Sequence, residues 1–252
     1  MLLMDGPCEV GGRGHSGRAV TILGTSFPFP QGNPMQMTRI LAIRHGETAW
    51  NRDARIQGQI DIPLNDVGHW QAERTAEALA HEALQAVYAS DLRRAHQTAA
   101  AVARRHGLPV QTHPGLRERH FGAFQGRTWA ELEQAHPDVV RAWKARDPDF
   151  APPGGESLRD LRQRVETTFA ELAARHLGGQ IVVVAHGGVL DILYRAAARV
   201  DLQAPRAWAM GNAAIHRVLW TADSGFALLS WGDTRHLEEA DEAGPRDESA
   251  SA

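Results

Sequence analysis

From Thr38 onward, short apolar runs rich in β-branched residues alternate with longer segments of helical period, and this alternation leaves the chain few folds to choose from. RILAIRHG, ALQAVYAS, GQIVVVAHGG, AIHRVLW and FALLSWG have the length and composition of strands. Between them, NDVGHWQAERTAEALAHEAL opens on the cap candidate Asn65, DLRRAHQTAAAVARRHG closes at Gly107, and ESLRDLRQRVETTFAELAARHLGG closes at Gly178. Strands separated by helices predict an α/β fold: a three-layer α/β/α sandwich whose mostly parallel central sheet is covered on both faces.

The ends of the chain break this pattern. Residues 1–37 are rich in Gly, Pro and Ser, show no sustained period, and read as a disordered leader; Met35 and Met37 also stand where a shorter product could begin. Residues 237–252 are acidic and poor in apolar side chains, which predicts a flexible, solvated tail. One folded domain over residues 38–236 is the resulting expectation.

Bulk chemistry excludes several classes. The net charge of −3 provides no global attraction for nucleic acid or anionic lipid, so any recognition of phosphate has to be local. No stretch reaches the roughly 20 apolar residues of a membrane-spanning helix, and the N-terminal region, broken by Asp5 and Glu9, carries no export signal. The single cysteine, Cys8, can form neither an internal disulfide nor a multi-cysteine metal site, which points to a reducing compartment and a cytoplasmic protein. None of the 13 histidines sits in a spacing such as HExxH, so no metal is expected; His69, His81, His96, His106, His113 and His136 read as helix or loop surface. Trp50, Trp70, Trp129, Trp143 and Trp208 read as core or rim packing in the absence of a basic stripe.

In an open α/β sheet, ligands collect at the carboxyl ends of the strands. LAIRHGE places Arg44 and His45 at such an end, and VVVAHGG places His186 at another. Each histidine is followed by glycine, which lets backbone approach a ligand closely. Taken singly, either imidazole is equally well explained as a satisfied strand-end residue.

The string RHGETAWNRDARIQGQIDIPLNDVGHWQA, followed in order by SDLRRAHQTA, LRERHFGAFQG, PPGGESL and VVVAHGG, resembles the signature of the histidine phosphatase (phosphoglycerate mutase-like) superfamily. The resemblance implies that His45 is a nucleophile that becomes transiently phosphorylated, splitting one displacement into two. It assigns Arg44 and Arg94 as the forked cations that hold the transferring phosphoryl group in place of metal ions, and leaves Arg93 facing solvent. It makes His186 the second active-site histidine and Glu118 the acid/base that protonates the departing alkoxide and then deprotonates water. Asn51, Gln57 and Gly58 correspond to a loop lining the phosphate pocket, and Gly187 to a backbone amide facing the phosphate. His120, in the same segment as Glu118, acquires no role.

The same family carries both phosphate hydrolysis and phosphoglycerate mutation. Phe121 and Trp129 stand where mutases usually have Tyr and Lys, and the segment AWKARDPDFAPPGGESL is shorter than the mutase insertion, with Lys144 and Arg146 as partial replacements for its paired arginines. These departures favour the broad phosphatase branch, acting on a small phosphorylated metabolite without a cofactor. The alternative is a mutase that uses 2,3-bisphosphoglycerate, kept open by the mutase-like wording of ERHFG. A catalytically silent phosphate-binding module is the third reading, opposed by the presence of His45, Arg44, Arg94, Glu118 and His186 together. Relatives are commonly dimeric, and a homodimer is an expectation for which the residues supply no interface.

Overall fold

The computed structural model describes residues 36–238. Nearly all of the expected leader and tail, residues 1–35 and 239–252, lies outside the described residues. Among the described residues, six strands form one sheet in the order β3-β2-β4-β1-β5-β6: β1 (Thr38–Arg44), β2 (Ala86–Ala89), β3 (Val110–Thr112), β4 (Gln180–Ala185), β5 (Ile215–Thr221) and β6 (Gly225–Asp233). The four strands β3, β2, β4 and β1 run parallel, whereas β5 is antiparallel to β1 and β6 to β5. The mostly parallel sheet is therefore as expected, with an antiparallel hairpin at one edge. Only three residues separate β5 from β6, and so short a connection permits only antiparallel pairing.

Each central strand feeds both faces through its alternating side chains. Ile40, Ala42, Ile181, Val183 and Ala185 join a core with α6 (Leu158–Ala174) and α7 (Gly187–Ala198), in which Leu161, Val165, Phe169 and Leu190 are essentially inaccessible. Leu41, Ile43, Val182 and Val184 face α2 (Asp66–Ala78) and α3 (Arg93–His106) on the other side. α3 presents Ala95, Ala99, Ala103 and Val102, small side chains that let it lie close to the sheet. These are the three layers that the sequence predicts.

The helix boundaries follow local chemistry. The Asn65 side chain accepts a hydrogen bond from the Gly68 N–H at 2.8 Å and caps α2, and Gly107 closes α3 in the left-handed region at φ 65°. α6 instead stops at Ala174, and Gly178 lies in the turn that follows, at φ 80°. There the His176 N–H bonds back to Ala173 and its ring meets the Tyr88 hydroxyl at 2.9 Å, so the chain leaves the helix a turn earlier than the sequence suggests. The boundary drawn at Leu237 falls inside a 3₁₀ turn, Arg235–Leu237, whose His236 carbonyl accepts from Arg74 at 3.1 Å.

Outside the sandwich, α1 (Ala49–Arg52) is a single turn, and α4 (Trp129–Ala135) and α5 (Pro137–Lys144) form a cap over the carboxyl end of the sheet. The cap has its own apolar nucleus of Ile56, Phe124, Leu132 and Val140, with Phe121, Trp129 and Trp143 packed against it.

Phe169 is fully buried in the α6–sheet core, and its ring meets Phe226 edge-on at 6.5 Å. Phe169→Ala should lower unfolding stability by about 3–5 kcal/mol through lost burial and the cavity left behind. Urea-unfolding midpoints of the two proteins measure this.

Candidate active site

Parallel pairing of β1 with β4 places Arg44 opposite Ala185, so the next residues, His45 and His186, leave the sheet side by side. Their ring centroids are 5.1 Å apart. The His45 Nδ1 lies 2.7 Å from the Gly46 carbonyl, an acceptor that requires the proton on Nδ1 and leaves Nε2 with a free lone pair. Burial, followed by the charges of Arg94 and Arg44, holds the His45 pKa well below the usual histidine range. The ring is therefore neutral at physiological pH, the state that can act as a nucleophile.

His186 is the N-cap residue of α7 and is completely buried. Burial, then Arg94 and His45, keeps its pKa well below normal as well. Neither of its ring nitrogens has a hydrogen-bond partner among the described residues, and the same is true of Arg44 Nε and Arg94 Nε. Each such buried group costs about 1–3 kcal/mol unless something pairs with it. The Nε–H groups of Arg44 and Arg94 and the single N–H that a neutral His186 carries form a cradle for oxygen-rich anions beside the His45 imidazole.

Arg94 falls in the first turn of α3, yet only 1% of its surface is accessible. Its terminal nitrogens donate to the Gly58 carbonyl at 2.7 Å and the Ile60 carbonyl at 2.9 Å, which pins the guanidinium under the 57–60 loop. Burial lowers its pKa to about 10, which leaves it cationic at neutral pH. Arg44 reaches across to the Met210 carbonyl, while Arg93 is exposed, as predicted. Glu118 lies across the pocket on the N-terminus of α7: its carboxylate accepts from the Gly188 N–H at 3.0 Å and from the Arg119 N–H at 2.7 Å. A Cβ on Gly188 would come within 2.4 Å of the Glu118 carboxylate, so a larger residue there has to displace that carboxylate from the helix N-terminus.

The remaining predicted residues line the same pocket, in roles that the geometry makes more specific. The Asn51 side-chain carbonyl accepts from the Thr48 N–H at 3.1 Å in a capping box on α1, which leaves its amide nitrogen for the pocket. Gln57 is nearly buried. Gly58, at φ 54°, contributes its carbonyl to Arg94 and turns tightly against Gln125. Gly187 opens α7, but the amide that grips Glu118 belongs to Gly188, which motif reading passes over.

The pocket extends well beyond these residues, to about 600 Å³. Phe121, Trp129 and Trp143 wall one side, with the Arg119 guanidinium 4.3 Å above the Trp143 ring. Trp70, by contrast, is 43% exposed on α2 and packs in neither core nor rim. Of the two basic residues in the shortened insertion, Arg146 reaches the pocket and meets Asp191 at 3.1 Å, while Lys144 pairs with Glu133 at the surface. Arg206 and Asp191 also line the cavity; no sequence motif marks either of them. Among the described residues, no group of three His, Cys, Asp or Glu side chains is placed to hold a metal ion, and no helix is long and apolar enough to cross a membrane.

The profile of the histidine phosphatase superfamily (branch 1) matches residues 40–234, and the chain belongs to that superfamily. Phosphoglycerate mutase-like protein 4 of Arabidopsis thaliana is 39% identical over 79% of this chain and 87% of that protein. A metal-independent phosphoserine phosphatase of the same plant is 40% identical over 80% of this chain and 84% of its own length. Among solved structures, the native mycobacterial glucosyl-3-phosphoglycerate phosphatase superimposes with a TM-score of 0.72 at 35% identity, covering 79% of this chain and 100% of the other.

The buried imidazoles set a pH dependence of stability. His216, on β5, accepts a hydrogen bond from the Gly232 N–H at 2.9 Å, and burial lowers its pKa from 6.5 to about 3. Below pH 6.5 the unfolded chain takes up protons that folded His45, His186 and His216 refuse, so stability is greatest above that pH and is lost as pH falls toward the folded values. His216 alone should cost about 2 kcal/mol at pH 5. Urea midpoints at pH 7.5 and pH 5 should differ accordingly, and the difference should shrink in His216→Asn.

Proposed function

We propose that this protein hydrolyses small phosphomonoesters without metal, through a phosphohistidine formed on His45. The observation that carries the reading is the set of buried, unpartnered nitrogens of Arg44, Arg94 and His186 around an imidazole that is neutral and correctly protonated for attack. His45 Nε2 attacks phosphorus in line as the ester P–O bond breaks. The resulting N-phosphoimidazolium keeps its Nδ1 proton on the Gly46 carbonyl, which stabilises the new positive charge. Arg44, Arg94 and His186 receive the charge that spreads over the phosphoryl oxygens, the task that metal ions perform elsewhere.

Glu118 gives its proton to the departing alkoxide. It then takes one from a water molecule, whose oxygen attacks phosphorus while the P–N bond breaks, restoring neutral His45 and releasing inorganic phosphate. Both backbone N–H groups on the Glu118 carboxylate orient it for these transfers. The partner is a small phosphorylated metabolite, and the metal-independent relative at 40% identity supports a reaction without cofactor. A cytoplasmic location and a homodimer belong to the same reading.

Purified protein should release phosphate from p-nitrophenyl phosphate and a panel of metabolite esters, and should do so equally in EDTA. Loss of activity on chelation, restored by added metal, would overturn the metal-free mechanism. With 3-phosphoglycerate and 2,3-bisphosphoglycerate, efficient formation of 2-phosphoglycerate would make it a mutase instead. His45→Ala should reduce turnover by at least about a thousandfold while circular dichroism stays native. Acid-labile ³²P incorporation would be absent in its place, and retained turnover would exclude His45 as nucleophile.

A further inference from the structure

The protonation pattern of the His45 ring rests on one acceptor, the Gly46 carbonyl at 2.7 Å from Nδ1. Glycine, lacking a Cβ, is the residue whose backbone is least restrained. Its smallness matters here, because the start of α2 crowds Gly46 and a Cβ would stand 2.5 Å from the Gly68 carbonyl oxygen. The carbonyl that keeps the proton on Nδ1 therefore belongs to a backbone unit that local sterics leave free to turn, and support for it has to come from elsewhere in the fold.

Three side chains supply that support. A trans peptide carries its C=O and N–H on opposite edges, so a partner on one edge aims the other. The Glu47 N–H donates to Gln71 Oε1 at 2.8 Å, which turns the Gly46 carbonyl toward the His45 ring. The preceding peptide is gripped on both edges: the Gly46 N–H donates to Thr98 Oγ1 at 3.0 Å, and the His45 carbonyl accepts from Asn212 Nδ2 at 2.9 Å. Thr98 is inaccessible, and its hydroxyl donates to the Arg94 carbonyl at 2.8 Å, one turn back on α3. Its hydrogen is thus committed, which leaves a lone pair for Gly46. Gln71, Thr98 and Asn212 stand on α2, on α3 and in the segment before β5, and none of them lines the pocket.

We propose that Gln71, Thr98 and Asn212 are positioning residues for the nucleophile, clamping the two peptides after His45 so that the Gly46 carbonyl keeps the ring proton on Nδ1 and leaves Nε2 bare. The inference rests on the reading that His45 attacks phosphorus. Without an acceptor from Thr98, the buried Gly46 N–H is unpaired and its peptide turns to find another partner. Without Gln71, the Glu47 N–H is released and the Gly46 carbonyl swings off the ring. In either case Nδ1 loses its fixed acceptor, the proton distributes over both ring nitrogens, and a proton on Nε2 blocks attack. Thr98 also joins the backbone of the attacking ring to the helical turn that carries Arg94.

Thr98→Val keeps the shape of the side chain and removes the acceptor, and Gln71→Leu removes the acceptor on α2. Each should lower kcat on p-nitrophenyl phosphate by about tenfold or more with KM within about twofold, since the groups that hold the phosphoryl oxygens are untouched. Thr98→Ser, which restores the hydroxyl, should recover most of that loss. Thr38→Val is the control: its hydroxyl is equally buried and donates to the Ala173 carbonyl at 2.7 Å, at the far end of β1, so this variant should lose stability and keep kcat. Two-bond ¹H–¹⁵N spectra of protein carrying ¹⁵N-histidine read the tautomer directly, the His45 signals being those missing in His45→Ala. Nε2 should be bare in the wild type and partly protonated in Thr98→Val and Gln71→Leu. Gln71 is half-buried, so its variant tests the clamp even where Thr98→Val folds poorly. Wild-type kcat or an unchanged His45 tautomer in the variants that fold overturns the clamp, as does an equal loss of kcat in Thr38→Val. If the wild type turns over no ester, the hydrolase reading fails, and the spectra by themselves decide the clamp.

Discussion

The parallel pairing of β1 with β4 is the constraint on which the site depends. Because Arg44 and Ala185 are partners in register, the first residues past each strand emerge as neighbours, and both are histidines. A slip of one residue would turn alternate side chains to the opposite core and separate the two rings. The apolar alternation along RILAI and IVVVA prevents that slip, since Ile40 and Ile181 belong to one core and Leu41 and Val182 to the other. Core packing and the juxtaposition of the two histidines are thus specified by the same residues.

Around this pair the protein gathers fixed cations and backbone amides. Arg94 is buried by two loop carbonyls, Arg44 is drawn to Met210, and the N-terminus of α7 grips Glu118. Burial keeps both imidazoles neutral even though two arginines lie nearby, because desolvation and like charge act in the same direction on a histidine. A polar cluster this deeply buried is costly to assemble, and the cost falls on atoms that an anion would satisfy. Membership of the histidine phosphatase superfamily agrees with that arrangement.

Much of this was legible in the sequence because the informative residues sit at strand ends and in order along the chain. Asn65, Gly107, the β-branched runs and the two His-Gly pairs have local causes that a sequence displays. β3, with only three residues, and the cap helices α4 and α5 were not marked, since neither offers a long enough period to read. Asp191, Arg195 and Arg206 were invisible for a different reason: nothing local distinguishes a helical Asp–Arg pair at i,i+4 from surface decoration, and only tertiary burial gives it meaning. Gly188 was masked by its neighbour, because a doubled glycine does not reveal which amide is used.

The cap is built on its own small nucleus of Ile56, Phe124, Leu132 and Val140, separate from the two cores that clamp the sheet. Residues of that nucleus can be exchanged without repacking the strands that aim His45 and His186. Mutational drift can therefore alter which alcohol is accepted while the phosphoryl chemistry stays fixed. Phe121, Trp129 and Trp143 pack on that nucleus and wall the pocket, so changes in them reshape the cavity without touching β1 or β4.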